Sequence, residues 1–296
     1  MNESLEILKQ MEPQDWLDVA ANWLRQINPT MKDGLLPDSE DIHGSWYLSP
    51  RHHIQLFMAV NVAYTLLTIP VFRSLRRKPP SRSPALDPSV LEYVLLFLLG
   101  VSLTTITYHK LVNPWRLPFL AQPCHVWSMM LIVVYLTQTE FSTLVLRVFQ
   151  FGLFMPVVAI VWPDTSDYVD DWEITCYWIQ HFVIITLPIV AIAKRPIITK
   201  YDWRLHMLFF LGYVFYHHNF LLPFGIYTGQ NLNLMLSPPR VAIISYWEQH
   251  YHIFAQFASL CLSVLSYAFL RSVAETAQYV CKSGGSSASS KKRKKK

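Results

Sequence analysis

Long apolar stretches alternate with short polar segments over most of this chain, from about residue 53 to residue 270. A helix that crosses a bilayer needs about 20 mostly apolar residues, and seven stretches reach that length. They are residues 53–72, 91–109, 117–137, 141–162, 172–194, 203–226 and 246–270. The pattern therefore predicts an all-α fold, a polytopic membrane bundle of about seven transmembrane helices.

Ahead of these stretches, residues 1–50 contain several acidic residues and no apolar run, which is not the pattern of a signal peptide. Apolar residues after Pro13 nevertheless recur on one helical face; they are Trp16, Leu17, Ala20, Trp23, Leu24 and Ile27. Two tryptophans in such a helix suit the membrane interface, and a cap packed over one end of the bundle is an equally good alternative. We predict a lumenal amphipathic segment at 1–50, the membrane domain at 51–272 and a flexible basic cytosolic tail at 273–296.

The composition agrees with a membrane protein and excludes a soluble globular enzyme. The chain is 52% hydrophobic and 15% charged, whereas soluble domains carry about 25% charged residues. The formal net charge is +5, but the run Lys291–Lys296 is entirely basic, and without it the charge is slightly negative. The basic pI therefore does not indicate nucleic-acid binding. The four cysteines are widely spaced and form neither a disulfide framework nor a Cys-x-x-Cys metal site.

The positions of the Lys and Arg residues predict how the bundle is oriented. Cations are concentrated after the first stretch at 73–82, after the fifth at 194–204 and in the tail, whereas 163–171 is acidic. Because cytosolic loops carry the excess of Lys and Arg, we expect a lumenal amino terminus and a cytosolic carboxyl terminus. Lys292 and Lys294 stand where a dilysine retrieval signal would keep the protein in the endoplasmic reticulum or Golgi membrane. Attraction of the tail to anionic lipid is an equal alternative.

Three reactive side chains in the apolar stretches are expected at a similar depth. Polar and ionisable side chains inside a membrane are costly, so each one marks a candidate site. Cys124 lies seven residues into the third stretch, and His181 and His217 each lie nine residues from one end of the fifth and sixth. At 1.5 Å per residue these depths are about 10 and 14 Å. Three helices would therefore place polar groups in one lumen-facing chamber.

The thiol of Cys124 suits a particular kind of chemistry. A cysteine beside a histidine can act as a nucleophile, and it can carry an acyl group as a thioester before passing it to an alcohol or amine. His125 cannot be its base, because neighbouring residues on a helix point about 100° apart. His181 and His217 therefore both remain candidate bases.

Other polar residues of the apolar stretches are expected to have accessory or structural roles rather than catalytic ones. Glu173 and Tyr177 precede His181 at spacings of four on the same helical face, so Glu173 is expected at the mouth of the site without touching the imidazole. His250 and His252 point to opposite sides of a helix and make a poor metal pair. The remaining residues are expected to be packing or structural: Cys176, Cys261, Cys281, His206, His218 and Arg147.

Four motifs in this chain occur in the order seen in a known family. They are Pro123-Cys124-His125 followed by Met129-Met130, Glu173-Ile174 leading to Ile179-Gln180-His181, Phe215-Tyr216-His217, and Asn231-Leu232-Asn233-Leu234-Met235-Leu236 before Pro238. With these motifs in register over roughly residues 90–240, the chain resembles the transmembrane protein 164 family. Two positions depart from the family pattern: Gln122 stands where asparagine is expected, and Ser237 stands where cysteine can occur.

This resemblance implies an intramembrane acyltransferase that places polyunsaturated acyl chains on ether-linked lysophospholipids. The family is distantly similar to the androgen-induced membrane hydrolases of lipid esters, which use a threonine and a histidine. The resemblance implies that Cys124 accepts the acyl group and that His181 is the general base. His217, Asn231 and Asn233 are implied as supporting positions. The expected partners are a phospholipid acyl donor and a lysophospholipid acceptor, with no cofactor and no metal.

Two other functions remain open on the residues alone. A metal-dependent membrane lipid hydrolase could bind zinc through His181, His217 and a histidine of the seventh stretch. A non-enzymatic receptor or transporter would use the same polar residues as a ligand site or a transport path. The sequence contains no Gly-x-Ser-x-Gly and no His-Glu-x-x-His motif, so it lacks these common hydrolase signatures.

Overall fold

The computed structural model describes residues 13–29, 32–33, 45–80, 85–163, 165, 168, 170–195, 201–238, 247 and 250–293. Almost all of this part of the chain is helical. Four of its helices are long and apolar enough to cross a membrane, and two bent helix pairs raise that number to 6 if each pair is one span. The prediction of an all-α fold with several membrane-spanning helices is therefore confirmed. The count of seven spans and the orientation of the termini stay predictions.

The elements follow the order of the predicted stretches. The first are α1 (Pro13–Ile27), the two-residue strands β1 (Lys32–Asp33) and β2 (Ser45–Trp46), which pair in parallel, α2 (Pro50–Arg77) and α3 (Val90–Val112). Next come a 3-10 helix (Pro114–Ala121), α4 (Pro123–Thr137), α5 (Glu140–Phe149), a 3-10 turn (Gln150–Gly152), α6 (Phe154–Val161) and α7 (Asp171–Lys194). The last are α8 (Trp203–Phe215), a π-helical turn (Tyr216–Leu221), α9 (Leu222–Thr228), a 3-10 turn (Leu232–Leu234) and α10 (Tyr251–Arg293).

Four of the predicted stretches are long helices. The stretches at 53–72, 91–109, 172–194 and 246–270 correspond to α2, α3, α7 and the first part of α10. Residues 246, 248 and 249 lie outside the described residues. The last helix continues to Arg293, beyond residue 272, and the predicted division into a membrane domain and a flexible tail stays a prediction.

The third predicted stretch, 117–137, is broken rather than continuous. The 3-10 helix and α4 meet at Gln122 with a bend of 64°, and Gln122 has extended backbone angles, φ −63° and ψ 145°. Pro123 explains the break, because the residue before a proline is disfavoured in the helical conformation and proline suits the first position of a new helix. Cys124 is therefore the second residue of α4, at a helix N-terminus and not inside a continuous span.

The fourth and sixth predicted stretches, 141–162 and 203–226, are interrupted as well. In the fourth, α5 with its 3-10 turn and α6 form a pair bent by 42°. In the sixth, α8 passes into the π-helical turn, which contains His217 and His218. Pro223 explains this wide turn, because it has no N–H and its ring clashes with the carbonyl four residues earlier. Such turns are frequent at functional sites.

The chain forms two compact units that the sequence did not predict. The first unit comprises residues 1–73 and 211–257, and the second comprises 74–210 and 258–296. In the second unit, α3 and α7 share the most extensive helix contact. Its core is built mainly from large apolar side chains of α3, α4, α5 and α7, among them Leu99, Leu131, Tyr135, Leu146, Phe149, Ile184 and Leu187.

In the first unit, the helix predicted after Pro13 is present as α1. The Asn28 amide nitrogen, just after this helix, donates to the carbonyl oxygens of Ile226 (3.1 Å) and Tyr227 (3.3 Å) in α9. Trp16 and Trp23 are exposed. Exposed tryptophans on an anchored amphipathic helix are what an interfacial helix requires.

A buried charged network joins α3 to the carboxyl end of α7 in the second unit. The Glu92 carboxylate is fully buried and accepts hydrogen bonds from Arg195 Nη1 (2.8 Å), Arg195 Nη2 (2.7 Å) and the Tyr135 hydroxyl (3.0 Å). The backbone N–H and the hydroxyl of Ser89 donate to the same carboxylate at 2.9 and 2.8 Å. Removal of the Arg195 cation would therefore leave the buried carboxylate without the charge that pairs with it directly.

We expect Arg195→Ala to lower the free energy of unfolding by about 3–5 kcal/mol for that reason. Denaturant or thermal unfolding of the purified protein in detergent, followed by tryptophan fluorescence, measures the change. The matched control is Arg271→Ala, because Arg271 pairs with Glu275 at 2.7 Å on an exposed face of α10, where ion pairs contribute little. Equal shifts in the two variants would contradict a stabilising role for the buried network.

Candidate functional site

Cys124 lies in the first turn of α4, directly after the break at Gln122. Its side chain is half-buried, and its sulfur lies 4.0 Å from Oε1 of Gln122. Like Trp127 and Ile179, it packs against the core of the second unit. Because the N-terminus of a helix carries partial positive charge, this position suits a sulfur nucleophile, which reacts as a thiolate.

Gln180 of α7 connects that helix to the first turn of α4. Its buried amide nitrogen donates to the Ser128 hydroxyl (2.8 Å), and it lies 3.1 Å from Nδ1 of His125 and 3.4 Å from the carbonyl oxygen of Cys124. The Ser128 hydroxyl donates to that same carbonyl oxygen at 2.8 Å. The network thus holds the backbone of Cys124 against the residue that precedes His181.

His125 is fully buried, and its contacts define where the ring carries its proton. Because the amide N–H of Gln180 can only donate, Nδ1 of His125 accepts, and the proton of the neutral ring lies on Nε2. Within the described residues, His125 Nε2 and Gln180 Oε1 are buried without a hydrogen-bond partner. A buried donor and a buried acceptor are costly when unpaired, so an additional polar group or water at this position would stabilise both of them.

His181 is held by Tyr177, one turn earlier in α7. Its Nδ1 lies 2.8 Å from the Tyr177 carbonyl oxygen, and the two ring centroids are 4.0 Å apart. The Tyr177 hydroxyl donates to the carbonyl oxygen of Ala159 in α6 at 2.5 Å, which holds the tyrosine ring in place. A carbonyl oxygen can only accept, so Nδ1 of His181 carries the proton and Nε2 is the basic nitrogen of the neutral imidazole.

His217, in the first unit, has the same local geometry. Its Nδ1 lies 2.8 Å from the Tyr213 carbonyl oxygen, with the ring centroids 4.0 Å apart. Its Nε2, however, accepts a hydrogen bond from the Asn233 amide nitrogen at 2.6 Å. Asn233 has a left-handed backbone, φ 46°, which asparagine tolerates better than most residues. The basic nitrogen of His217 is therefore already engaged.

Asn231 organises the loop that carries Asn233. Its Oδ1 accepts from the backbone N–H groups of Leu236 (2.8 Å) and Ser237 (3.1 Å). Its Nδ2 donates to the carbonyl and hydroxyl oxygens of Ser237 at 3.2 and 2.6 Å. The Asn231 side chain therefore closes this loop, and it supports Asn233 through the backbone.

Glu173 lies in the first turn of α7, within a buried charged cluster. Arg116 Nη1 lies 3.1 and 3.2 Å from its two carboxylate oxygens, and His109 Nδ1 lies 2.7 Å from its Oε1. The other ring nitrogen of His109 lies 3.0 Å from the Asp170 carboxylate. In the described part of the chain, His109, Asp170 and Glu173 have the spacing of metal ligands. The guanidinium of Arg116 already pairs with both carboxylate oxygens of Glu173, so its positive charge would repel a metal ion at this position.

Sequence comparison decides the family. Residues 47–269 match the profile of the TMEM164 family, which is more than half of the chain. The chain belongs to the TMEM164 family. It is similar to the Transmembrane protein 164 homolog of Dictyostelium discoideum, with 27% identity over 218 residues that cover 70% of this chain and 78% of that protein. No solved structure matches the chain. The resemblance predicted from the four motifs is thus confirmed.

In this TMEM164-family chain the predicted site residues fall into two groups. The second unit holds Cys124, His125, Glu173, Tyr177 and His181, on α4 and α7. The first unit holds His217, Asn231 and Asn233, on the π-helical turn and the loop after α9. In the second unit, Gln180 lies within hydrogen-bonding distance of His125 and of the Cys124 carbonyl oxygen. In the first unit, Asn233 donates to His217. The common depth expected for the cysteine and the two histidines stays a prediction.

Sequence reasoning missed three residues of this TMEM164-family site. Gln180 lies in the middle of an apolar stretch, and the rule that selected His181 could have selected it as well. Ser128 has a side chain that helices often satisfy locally, so it gives little signal. Arg116 looks in the sequence like an ordinary loop cation, and only the structure shows that it is buried.

Proposed function

We propose that this chain is an intramembrane acyltransferase that moves a fatty acyl group from a phospholipid to a lysophospholipid through a thioester on Cys124. The observation that carries the proposal is the hydrogen bond from Gln180 to the Cys124 carbonyl oxygen. It ties the helix of the candidate base His181 to the helix N-terminus that holds the candidate nucleophile. The chain belongs to the TMEM164 family, and the acyltransferase activity that the resemblance to this family implies supports the same assignment.

The reaction needs two transfers of the acyl group. In the first, Nε2 of His181 takes the proton of the Cys124 thiol, the sulfur bonds to the ester carbonyl carbon, and the ester C–O bond breaks. The leaving lysophospholipid oxygen receives the proton from His181. In the second, His181 takes the proton of the acceptor hydroxyl, whose oxygen attacks the thioester. The C–S bond then breaks and the thiol regains the proton.

The acyl donor in this proposal is a phospholipid rather than acyl-CoA. The Lys and Arg distribution predicts that Cys124 lies toward the lumen, and CoA esters are cytosolic. The acceptor is a lysophospholipid, and the family resemblance implies an ether-linked one. The proposed location is the endoplasmic reticulum or Golgi membrane, where such lipids are remodelled.

Intact-protein and peptide mass spectrometry test this proposal. Purified protein incubated with phosphatidylcholine is expected to gain one acyl mass on the peptide that contains Cys124, and neutral hydroxylamine is expected to remove it, because it cleaves thioesters. Acylation from acyl-CoA but not from phosphatidylcholine would overturn the proposed donor. Acyl mass on another residue, or no acyl mass under either condition, would overturn the thioester mechanism.

His125 is a positioning residue in this proposal and acts through Gln180. Its Nδ1 lies 3.1 Å from the Gln180 amide nitrogen, which in turn lies 3.4 Å from the Cys124 carbonyl oxygen. We expect His125→Phe to lower kcat by up to about 10²-fold, the effect of displacing a reacting group by about 1 Å. His125→Asn, whose Oδ1 can accept near the place of Nδ1, is expected to recover part of that loss. Initial rates of acyl transfer by the purified variants measure both effects, and full activity of the phenylalanine variant would show that the site does not need His125.

A further inference from the structure

Arg116 is a buried cation with one side of its guanidinium group unused. Its side chain is 1% exposed, and Nη1 is occupied by the two oxygens of Glu173 at 3.1 and 3.2 Å. Nε and Nη2 are buried and have no hydrogen-bond partner among the described residues. The N–H groups of Nε and Nη2 point the same way and form the planar fork that binds two oxygens of a phosphate or carboxylate.

Other polar and charged groups lie around Arg116. Nδ1 of His109 lies 2.7 Å from Glu173 and 3.1 Å from Nη1 of Arg116, and its other ring nitrogen lies 3.0 Å from Asp170. Lys110 is also buried, with its ammonium 5.0 and 5.2 Å from the centroids of the Tyr168 and Phe119 rings. None of these contacts uses Nε or Nη2 of Arg116, so this fork is the part of the cluster that can bind an anion.

The position of Arg116 in the chain relates this fork to the proposed active site. The 3-10 helix Pro114–Ala121 carries Arg116 and is separated from α4 by Gln122 alone, and it packs against α3 and α4. Trp115 lies over the guanidinium at 5.1 Å and is 55% exposed, as suits a residue at a lipid headgroup. An anion bound at the fork would contact the 3-10 helix that directly precedes α4, the helix that carries Cys124.

We propose that Nε and Nη2 of Arg116 bind the phosphate of the glycerophospholipid substrate. This inference rests on the proposed acyl transfer and adds the headgroup site to it. A phosphate held there keeps the glycerol backbone near the N-terminus of α4, because only a few bonds separate the phosphate from the ester carbonyl. The site therefore selects phosphate-containing lipids over neutral glycerides. Inorganic phosphate presents the same oxygens, and the experiment separates the two sources.

Binding measured without turnover tests the site. Native mass spectrometry or intrinsic fluorescence would compare short-chain phosphatidylcholine, the diacylglycerol with the same chains, and inorganic phosphate. We expect Arg116→Gln to weaken phosphatidylcholine binding by about tenfold to a hundredfold, the usual range for a charged hydrogen bond, with diacylglycerol binding unchanged. Arg116→Lys should lose part of that affinity, because an ammonium is not a fork. The matched control is Arg271→Gln on the exposed face of α10, which should bind all three ligands like the parent protein.

The other results would overturn the headgroup site. Unchanged phosphatidylcholine binding in Arg116→Gln would show that the fork does not bind lipid, and inorganic phosphate binding as tightly as phosphatidylcholine would show a site for the free ion. Arg116→Gln could fail to fold because Glu173 loses its partner. In that case the double variant Arg116→Gln with Glu173→Gln removes both charges together, and its phosphatidylcholine binding is measured instead. Arg116-dependent lipid binding without acyl transfer would refute the proposed function alone. Acyl transfer at the parent rate in Arg116→Gln would refute this inference alone.

Discussion

Cys124→Ala is expected to abolish acyl transfer, with a loss of about 10⁴-fold or more, the order found when a covalent nucleophile is removed. In a two-step transfer the acyl group has no other carrier, because the donor and acceptor lipids never react directly. The measurement is the rate at which a labelled acyl chain moves from phosphatidylcholine to a lysophospholipid in proteoliposomes of the purified protein.

Cys124→Ser separates nucleophile chemistry from packing at the same position. Its hydroxyl is close to the thiol in size, so the fold should be retained. Serine is a weaker nucleophile than a cysteine thiolate, and its ester is a poorer acyl donor than a thioester. We therefore expect a slow, hydroxylamine-resistant acylation and almost no turnover, which intact mass spectrometry can distinguish from the parent adduct.

The control for both substitutions is Cys176→Ala. Cys176 is another half-buried cysteine of the second unit, on α7, and the proposed reaction gives its thiol no part. It should keep the parent rate. A Cys124→Ala protein that folds normally and transfers acyl chains at the parent rate would contradict the thioester. If the parent protein showed no transfer at all but bound lipid, a transporter or receptor would become the better explanation.

The long helices were predictable because their signal is local. Hydropathy alone places α2, α3 and α7 within a few residues of their observed ends, since each stretch needs only its own side chains to specify a membrane span. The broken stretches show the limit of this reasoning. Pro123 and Pro223 indicate weak points in the third and sixth stretches, but whether a proline kinks a helix or ends it depends on what packs around it.

The connections of the site were not predictable for a different reason. Gln180 reaches Ser128 and His125 across more than 50 positions of the chain, and this contact exists only because α4 and α7 pack side by side. The sequence placed Glu173 at the mouth of the site by helical spacing. It could not show that Arg116 and His109 contact Glu173, because those residues come from two other elements.

His181→Asn is expected to lower the rate of acyl transfer by about 10²–10⁴-fold, the contribution usually made by a general base. The substitution is chosen to remove one nitrogen and keep the other. The Asn amide nitrogen occupies roughly the place of Nδ1, so it can still donate to the Tyr177 carbonyl oxygen, which His181 contacts at 2.8 Å. What is lost is Nε2, the basic nitrogen. Initial rates, together with an unchanged unfolding midpoint, measure the effect.

Added imidazole provides a second readout that a structural role would not produce. In His181→Gly the missing ring leaves space, and free imidazole is expected to restore part of the rate in a concentration-dependent way. The control is His206→Asn, because His206 is engaged on both ring nitrogens, by the Tyr201 hydroxyl at 2.6 Å and the Ser263 hydroxyl at 2.5 Å. We expect its rate to stay at the parent level and to be insensitive to imidazole.

The same experiment decides between the two histidines that the sequence left open as bases. His217 shares the tyrosine-anchored geometry of His181, but its Nε2 already accepts from Asn233 at 2.6 Å. A nitrogen whose lone pair is occupied must first lose that hydrogen bond before it can take a proton, so His217→Asn should cost less than His181→Asn. A larger loss for His217→Asn, with imidazole rescue at that position instead, would identify His217 as the base and make His181 the positioning residue.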